Sequence, residues 1–332
     1  MKAAVHTRYG PPDVVRVRDV DKPTARDGEL IIKVHVTSVN RTDCGFRSGK
    51  PFFSRFFTGL LRPRGTVLGN EFAGEVETTG NGVTAFKAGD RVFGFSGLSG
   101  PFGAHAEYLR IPQDGPLAAM PPNISYEEAA AGTEGSHYAL SNIRKAGIRG
   151  GQNVLVYGAT GAIGSAAVQL VKSIGARVTA VCATPNIELV AGLGANSVID
   201  YTAQDFTADE QRYDVVFDAV GKSTFGRCRR LLKPGGIYLS TEGGLGFLLL
   251  ILITPLLRGK KAMFALPKLE QATVRHLADL IESGQFKPVI DRRYPLEEIV
   301  AAYRYVESGQ KIGNVMITVG HSDPTADQSV SS

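Results

Sequence analysis

Hydrophobic and polar positions divide this chain into two stretches of different rhythm. Up to about residue 120, short β-type runs alternate with turns: Val14 to Val17, Glu29 to Val36, Glu71 to Glu77, Arg91 to Phe95 and Ala106 to Ile111. Glycine and proline separate them, which predicts a small β-rich barrel. Met120-Pro121-Pro122 closes this stretch, and Ser125 with Glu128 reads as a capping box at a helix start. From Asn153 onward strands and helices alternate: Val178 to Cys182, a helix near Ile187 to Leu193, Ser197 to Ile199, Asp214 to Phe217, a helix near Phe225 to Leu232, then Ile237 to Ser240. That order predicts an α/β domain, a doubly wound parallel sheet covered by helices on both faces, with ligands at the carboxyl ends of its strands.

The second stretch opens on Asn153 to Gly175. Asn153-Val154-Leu155-Val156-Tyr157 is an apolar run too short for a helix, so it reads as a buried parallel strand. It ends at Gly158, and from Ile163 apolar residues recur at helical spacing (Ala167, Leu170, Ile174), with Gly175 where a helix end favours a left-handed residue. Between strand and helix, Ala159, Gly161 and Gly164 spell A-x-G-x-x-G, a one-residue variant of the dinucleotide fingerprint. The missing side chains let the backbone approach a pyrophosphate at the helix N-terminus.

After the sheet, Lys268 to Ser283 and Leu296 to Glu307 read as helices, flanking Lys287-Pro288-Val289-Ile290-Asp291. Asn314 to Val319 is strand-like and has no partner in a completed second sheet, so it is expected to return to the first domain. The polar tail after Gly320 is expected to be disordered. The domain limits expected are 1–122, 123–266, a return segment 267–320 and a tail 321–332.

Composition narrows the classes of function. The net charge of +5 is modest and without long basic blocks, which argues against a general nucleic-acid surface. Cys44, Cys182 and Cys228 lie far apart, with no C-x-x-C pair, and the N-terminus breaks at Tyr9-Gly10-Pro11-Pro12 before any apolar signal region. A reduced, cytoplasmic protein is expected. The six histidines (His6, His35, His105, His137, His276, His321) never pair at metal spacing.

A β-rich domain, a dinucleotide-binding domain and a return segment resemble the medium-chain dehydrogenase/reductase superfamily, with its GroES-like first domain and Rossmann second domain. The resemblance rests on Gly69-x-Glu71-x-x-Gly74-x-Val76, Gly89-Asp90-Arg91-Val92, the Gly158 to Gly164 turn, Gly194-Ala195, Asp218-Ala219-Val220-Gly221, Lys233-Pro234-Gly235-Gly236 and Lys287-Pro288-Val289-Ile290. Zinc enzymes of this superfamily carry a cysteine where this chain has Asn40 and a histidine where it has Asn70. Amides are poor zinc donors, so no metal is expected. What remains resembles the zinc-free quinone oxidoreductase branch, typified by zeta-crystallin. Ser38-Val39-Asn40-x-x-Asp43 matches that branch's segment, which implies Asn40 beside nicotinamide and substrate. Its tyrosines are replaced by Gly45 and Pro51, and Phe52, Phe53, Phe56 and Phe57 follow, so the pocket is expected to be aromatic without phenols.

NADP(H) is expected in preference to NAD(H). The second strand of the sheet ends Val181-Cys182-Ala183-Thr184, without the acid that binds a ribose diol in NAD-specific folds. Thr184 and Asn186 are candidates to meet a 2′-phosphate, or alternatively to cap a helix, and Tyr201 to pack beside the adenosine. The full cofactor set implied is Asn40, Ala159, Thr160, Gly161, Ala162, Ile163, Gly164, Ala183, Thr184, Asn186, Tyr201, Ala219, Val220, Thr241 and Asn314. Asn40 and Asp43 are the catalytic candidates, Asn40 as a polarising hydrogen bond or as a turn residue. Glu71 reads as a structural partner, and His137 and Tyr138 as a packed helix face.

Leu245 to Leu257 is the most apolar run, followed by Arg258, Lys260 and Lys261. It is too short to span a bilayer and contains proline. Three readings stand: a wall of the substrate cleft or a homodimer contact, a peripheral membrane contact, and plain core. The function expected is NADPH-dependent, zinc-independent reduction of a small hydrophobic quinone or α,β-unsaturated carbonyl compound. Enoyl-thioester reduction and alcohol oxidation are alternatives, and NADPH binding without turnover, as a sensor or structural protein, is one of another class.

Overall fold

A computed structural model describes residues 1–321 except 51, 53, 54, 97–102, 243, 244, 257, 258 and 267, and at 57 and 245 the backbone alone. The chain forms two compact units. One comprises Met1–Ala131, Leu269–Ala278 and Ile290–Ser332, the other Gly132–Lys268 and Asp279–Val289.

The first unit is organised on the 11-residue strand Glu29–Val39. Glu71–Thr79 pairs along one edge, while the other edge is shared: Tyr108–Pro112 takes residues 29–33 and the return strand Asn314–Thr318 takes residues 36–39. Arg91–Phe95 and Leu117–Ala119 extend the sheet beyond Glu71–Thr79, and Ile290–Pro295 lies parallel to Asn314–Thr318 at the far end. Register shifts after Ile31 and Val34 bend the long strand, as curvature in a barrel-like sheet requires. Leu30, Ile32, Val34, Phe72, Val76 and Ile317 fill the core with Tyr303 and Val306 of helix Ile299–Glu307. Each fully buried aliphatic or phenylalanine side chain is worth on the order of 1.5 to 3 kcal/mol relative to exposure.

The strand expected over Val14 to Val17 is instead a 3-10 turn, Pro12–Val14, followed by strand Arg16–Asp19. Proline lacks an N–H and fixes φ, so the turn takes the prolines and pairing starts later, against Lys2–Val5. The capping box forms: Ser125 Oγ accepts from Glu128 N at 3.2 Å, and Glu128 Oε2 from Ser125 N at 3.0 Å. The helix it starts, Tyr126–Ala131, packs on Glu29–Val39 and Glu71–Thr79.

Among the described residues of the second unit, six parallel strands lie in the order Ser197–Asp200, Arg177–Cys182, Asn153–Tyr157, Tyr213–Asp218, Leu232–Ser240, Lys261–Met263. In chain order this is 3-2-1-4-5-6, the doubly wound order whose switch point falls between the first and fourth strands. Val154, Leu155 and Val156 are all fully buried, which is why the first strand reads as an unbroken apolar run. The apolar run forms helix Leu245–Ile253, with Leu257 and Arg258 outside the described residues. Leu249 is 56% exposed, Leu252 70% and Leu256 82%, so this face is not core.

Candidate functional site

The three glycines of the turn do different work. Gly158 has φ +80, and Val220 Cγ1 lies 2.5 Å from where its Cβ would stand. Gly161 starts helix Ala162–Ser173 without a side-chain cap, and a Cβ there would meet nothing nearer than Gly158 O at 3.7 Å. A Cβ on Gly164 would fall 2.0 Å from Gly158 O, so helix and turn touch backbone to backbone. The N-terminus of a 12-residue helix therefore presents free N–H groups and its positive dipole end to open space, a fit for a pyrophosphate. Ala159, Thr160, Ala162 and Ile163 belong to this turn and first helical turn.

At the carboxyl end of the fourth strand, Asp218 is fully buried and its carboxylate accepts from Val220 N at 3.1 Å, Ser223 N at 2.8 Å and Tyr238 Oη at 3.0 Å. This fixes the loop carrying Ala219 and Val220, and Thr241 N reaches Asp218 O at 3.2 Å. Burial, and then the Asp218 charge, pushes the Tyr238 phenol well up.

Thr184, Pro185 and Asn186 form a 3-10 turn after the second strand, next to Ala183, and neither Thr184 nor Asn186 caps a helix with its side chain. Thr184 Oγ1 instead donates to Asp200 Oδ2, and Thr202 donates to Asp200 Oδ1 through N at 2.8 Å and Oγ1 at 2.6 Å. These hydroxyls, Thr184 first, hold the exposed Asp200 carboxyl below the usual carboxylate range. The sequence reading missed Asp200. Its signal is register: Asp200 ends the neighbouring strand opposite Cys182. Tyr201 is half exposed, and its N–H donates to Cys182 O at 3.0 Å.

In the first unit, Asn40 and Asp43 come together as the capping box of helix Arg41–Ser48. Asn40 Oδ1 accepts from Asp43 N at 2.9 Å, and Asp43 Oδ2 from Asn40 N at 3.1 Å. Asn40 Nδ2 donates to Asn70 Oδ1 at 2.7 Å and to Glu71 Oε1 at 3.3 Å, while Ser38 Oγ also donates to Glu71 Oε1. All five residues are buried. Asn314 is buried at the start of the return strand.

His105 packs behind this network. Its Nε2 meets Ser38 O at 2.6 Å, and a carbonyl only accepts, so Nε2 carries the proton; Nδ1 faces Tyr303 Oη at 3.5 Å. Burial pushes its pKa down to about 4, against a smaller raising effect of the Ser38 carbonyl. Although Asp43 Oδ2 lies 3.9 Å away, the ring is neutral near pH 7, so the two are not an ion pair. His137 is a satisfied buried histidine, with Nε2 2.9 Å from Lys268 O.

No group of three or more His, Cys, Asp or Glu suited to a metal occurs among the described residues. All three cysteines are free and buried, and burial, followed by the Asp43 charge, pushes the Cys44 thiol up to about 12. Phe52 and Phe56 meet edge to face at 6.2 Å and are largely exposed. Pro51, Phe53 and the Phe57 side chain lie outside the described residues.

Residues 26–122 match the family described as Alcohol dehydrogenase GroES-like domain, and residues 193–317 the family described as Zinc-binding dehydrogenase. A 2-methylene-furan-3-one reductase of Solanum lycopersicum is 32% identical over 327 residues, covering 96% of this chain and 79% of the relative. A chloroplastic NADPH-dependent alkenal/one oxidoreductase of Arabidopsis thaliana is 30% identical with the same coverage of each. Among solved structures, the quinone oxidoreductase from Coxiella burnetii superposes with a TM-score of 0.87 at 28% identity, over 96% of this chain and 99% of that one.

Proposed function

Because the chain belongs to the medium-chain dehydrogenase/reductase superfamily, in its quinone oxidoreductase branch, we propose that it is an NADPH-dependent reductase of quinones and α,β-unsaturated carbonyl compounds. The observation that carries this reading is the open helix N-terminus behind Gly158, Gly161 and Gly164. NADPH, when bound, supplies the hydride. The chain supplies binding and orientation. The first turn of helix Ala162–Ser173 takes the pyrophosphate, the Ala183 to Asn186 turn faces the ribose, and the exposed Tyr201 ring packs on the adenosine. Asp218 holds Ala219 and Val220 in place by accepting from Val220 N.

A conjugated acceptor spreads incoming charge over its own carbonyl, so the reaction runs without a Lewis acid. The neutral amides Asn40 and Asn70 in the positions of zinc ligands support a metal-free site. Three free, buried cysteines support a reducing compartment, the cytosol in our reading. The exposed apolar face of helix Leu245–Ile253 supports a surface that is covered in use, by a hydrophobic acceptor or by a second copy in a homodimer.

Anaerobic single-turnover oxidation of bound NADPH, across a panel of quinones, enones and simple ketones, tests the reading. Fast oxidation by quinones or enones is expected. Binding with no turnover on any acceptor would leave a sensor or structural role in its place.

A further inference from the structure

Asn70 immediately precedes strand Glu71–Thr79, and its side-chain orientation follows from a sequence of obligate donors. The Asp43 backbone N–H can only donate, so the Asn40 atom it meets at 2.9 Å is Oδ1. The other arm of that amide is therefore Nδ2, and its partner at 2.7 Å on Asn70 must accept, which makes it Oδ1. Asn70 Nδ2 points the opposite way. Among the described residues it donates to nothing, and it is not one of the buried side-chain polar atoms that lack a partner, which are His6 Nδ1, Arg47 Nε, Asn142 Oδ1 and His321 Nδ1. The side chain is 93% covered, yet its N–H groups remain open.

Among the described residues of this network, no other side chain offers the same chemistry. Asn40 Nδ2 is spent on Asn70 and Glu71, and His105 Nε2 on Ser38 O. Asp43 and Glu71 already accept from Asn40 N, Ser38 Oγ and Asn40 Nδ2. An amide clamped through its oxygen, with two N–H bonds unused, is a preorganised donor.

We propose that Asn70 Nδ2 binds the carbonyl oxygen of the quinone or enone acceptor, and that Asn40 and Glu71 are the positioning residues that hold it. This rests on the functional reading above. When a hydride adds to the β-carbon of an enone, the C=C electron pair shifts toward the carbonyl and the oxygen gains negative charge. A proton from solvent completes the new bond at the α-carbon, with NADPH oxidised to NADP⁺. A fixed donor on that oxygen strengthens as the charge develops, so it accelerates the step as well as binding the acceptor.

The test compares wild type with Asn70→Asp and Asn70→Leu. Asn70→Asp keeps an oxygen for Asn40 Nδ2 and removes the donor, and Asn70→Leu is a near-isosteric second removal should a carboxylate beside Glu71 prevent folding. In the wild type with NADP⁺, the carbonyl stretch of a ¹³C-labelled enone should move to lower frequency on binding. That shift should vanish in the variants, kcat/KM for enones should fall on the order of 10- to 100-fold, and the Kd for NADPH should stay within about two-fold, since the pyrophosphate and ribose contacts lie elsewhere. A wild-type carbonyl shift and wild-type kcat/KM in a folded variant would overturn the assignment alone. A wild type that reduces no quinone or enone would overturn the functional reading and the assignment with it.

Discussion

Thr184 Oγ1 donates to Asp200 Oδ2 at 2.5 Å, tying together the ends of two neighbouring strands at the turn proposed for the ribose. A carboxylate beside that turn opposes a 2′-phosphate and suits a ribose diol. Asp200→Asn should therefore strengthen NADPH binding relative to NADH by about 3- to 10-fold, less at high salt because the site is exposed to solvent. Asn186→Asp should do the reverse. Dissociation constants for both nucleotides decide it, and equal effects on the two would place the ribose elsewhere.

Gly161→Val should block the cofactor while the fold survives. A Cβ at Gly161 meets only Gly158 O, at 3.7 Å, so the branched side chain fills the open space that the pyrophosphate needs. An NADPH dissociation constant raised about 10-fold or more, with little change in melting temperature, is expected. Gly164→Ala tests the other glycine. Its Cβ would collide with backbone at 2.0 Å, so it should cost roughly 1 to 3 kcal/mol or more of stability. Calorimetry separates the two effects.

Metal analysis of purified protein should find no stoichiometric zinc, and chelation should leave turnover unchanged. Zinc whose removal abolishes activity would show that the Asn40 and Asn70 amides had been misread.

Stability should fall in mild acid. His105 titrates at about 4 in the folded chain and near 6.5 once released, so between those values the unfolded chain holds a proton the folded one lacks. The stabilisation is complete above about pH 6.5 and is lost as pH drops toward 4, by roughly 2 to 4 kcal/mol over the window. His6 shifts in the same direction, to about 4, chiefly by burial. Thermal melts from pH 7.5 to 5 measure the slope, which should be shallower in His105→Asn than in wild type.

Leu249→Gln probes the apolar helix. If the face lines the acceptor's path, kcat/KM should fall by a factor of roughly 5 to 150 for a long hydrophobic quinone and little for benzoquinone. A dimer contact would show as dissociation in light scattering, and a membrane contact as lost sedimentation with liposomes. A variant unchanged in all three would leave the exposed leucines without a function.

The second unit was the more legible because its signals are local. An apolar run buried on both faces, a glycine turn and a 3.6-residue rhythm each lie within a few residues, and they locate Asn153–Tyr157 and Ala162–Ser173 closely. Contacts between distant segments were not legible. Asp200 reaches Thr184 only through strand pairing, and the Asn40 to Asn70 bond spans 30 positions and depends on where one strand ends and another begins. Asn40 itself shows the ambiguity: an N-cap and an active-site amide are the same residue type, and only three-dimensional bonding shows its N–H groups to be committed. The exposure of Leu249 and Leu252 was equally hidden, since an apolar helix carries no polar face to say which side turns outward.

The return strand also sets the order in which the chain can fold during synthesis. Every strand of the second sheet has been translated by residue 263, but residues 36–39 wait for Asn314–Thr318. At about 5 to 20 residues per second the ribosome takes several seconds to cover that gap. Through that interval residues 36–39 of the longest strand of the first sheet present an unpaired edge, so a nascent chain stalled or cleaved before residue 314 carries a template for pairing with its neighbours.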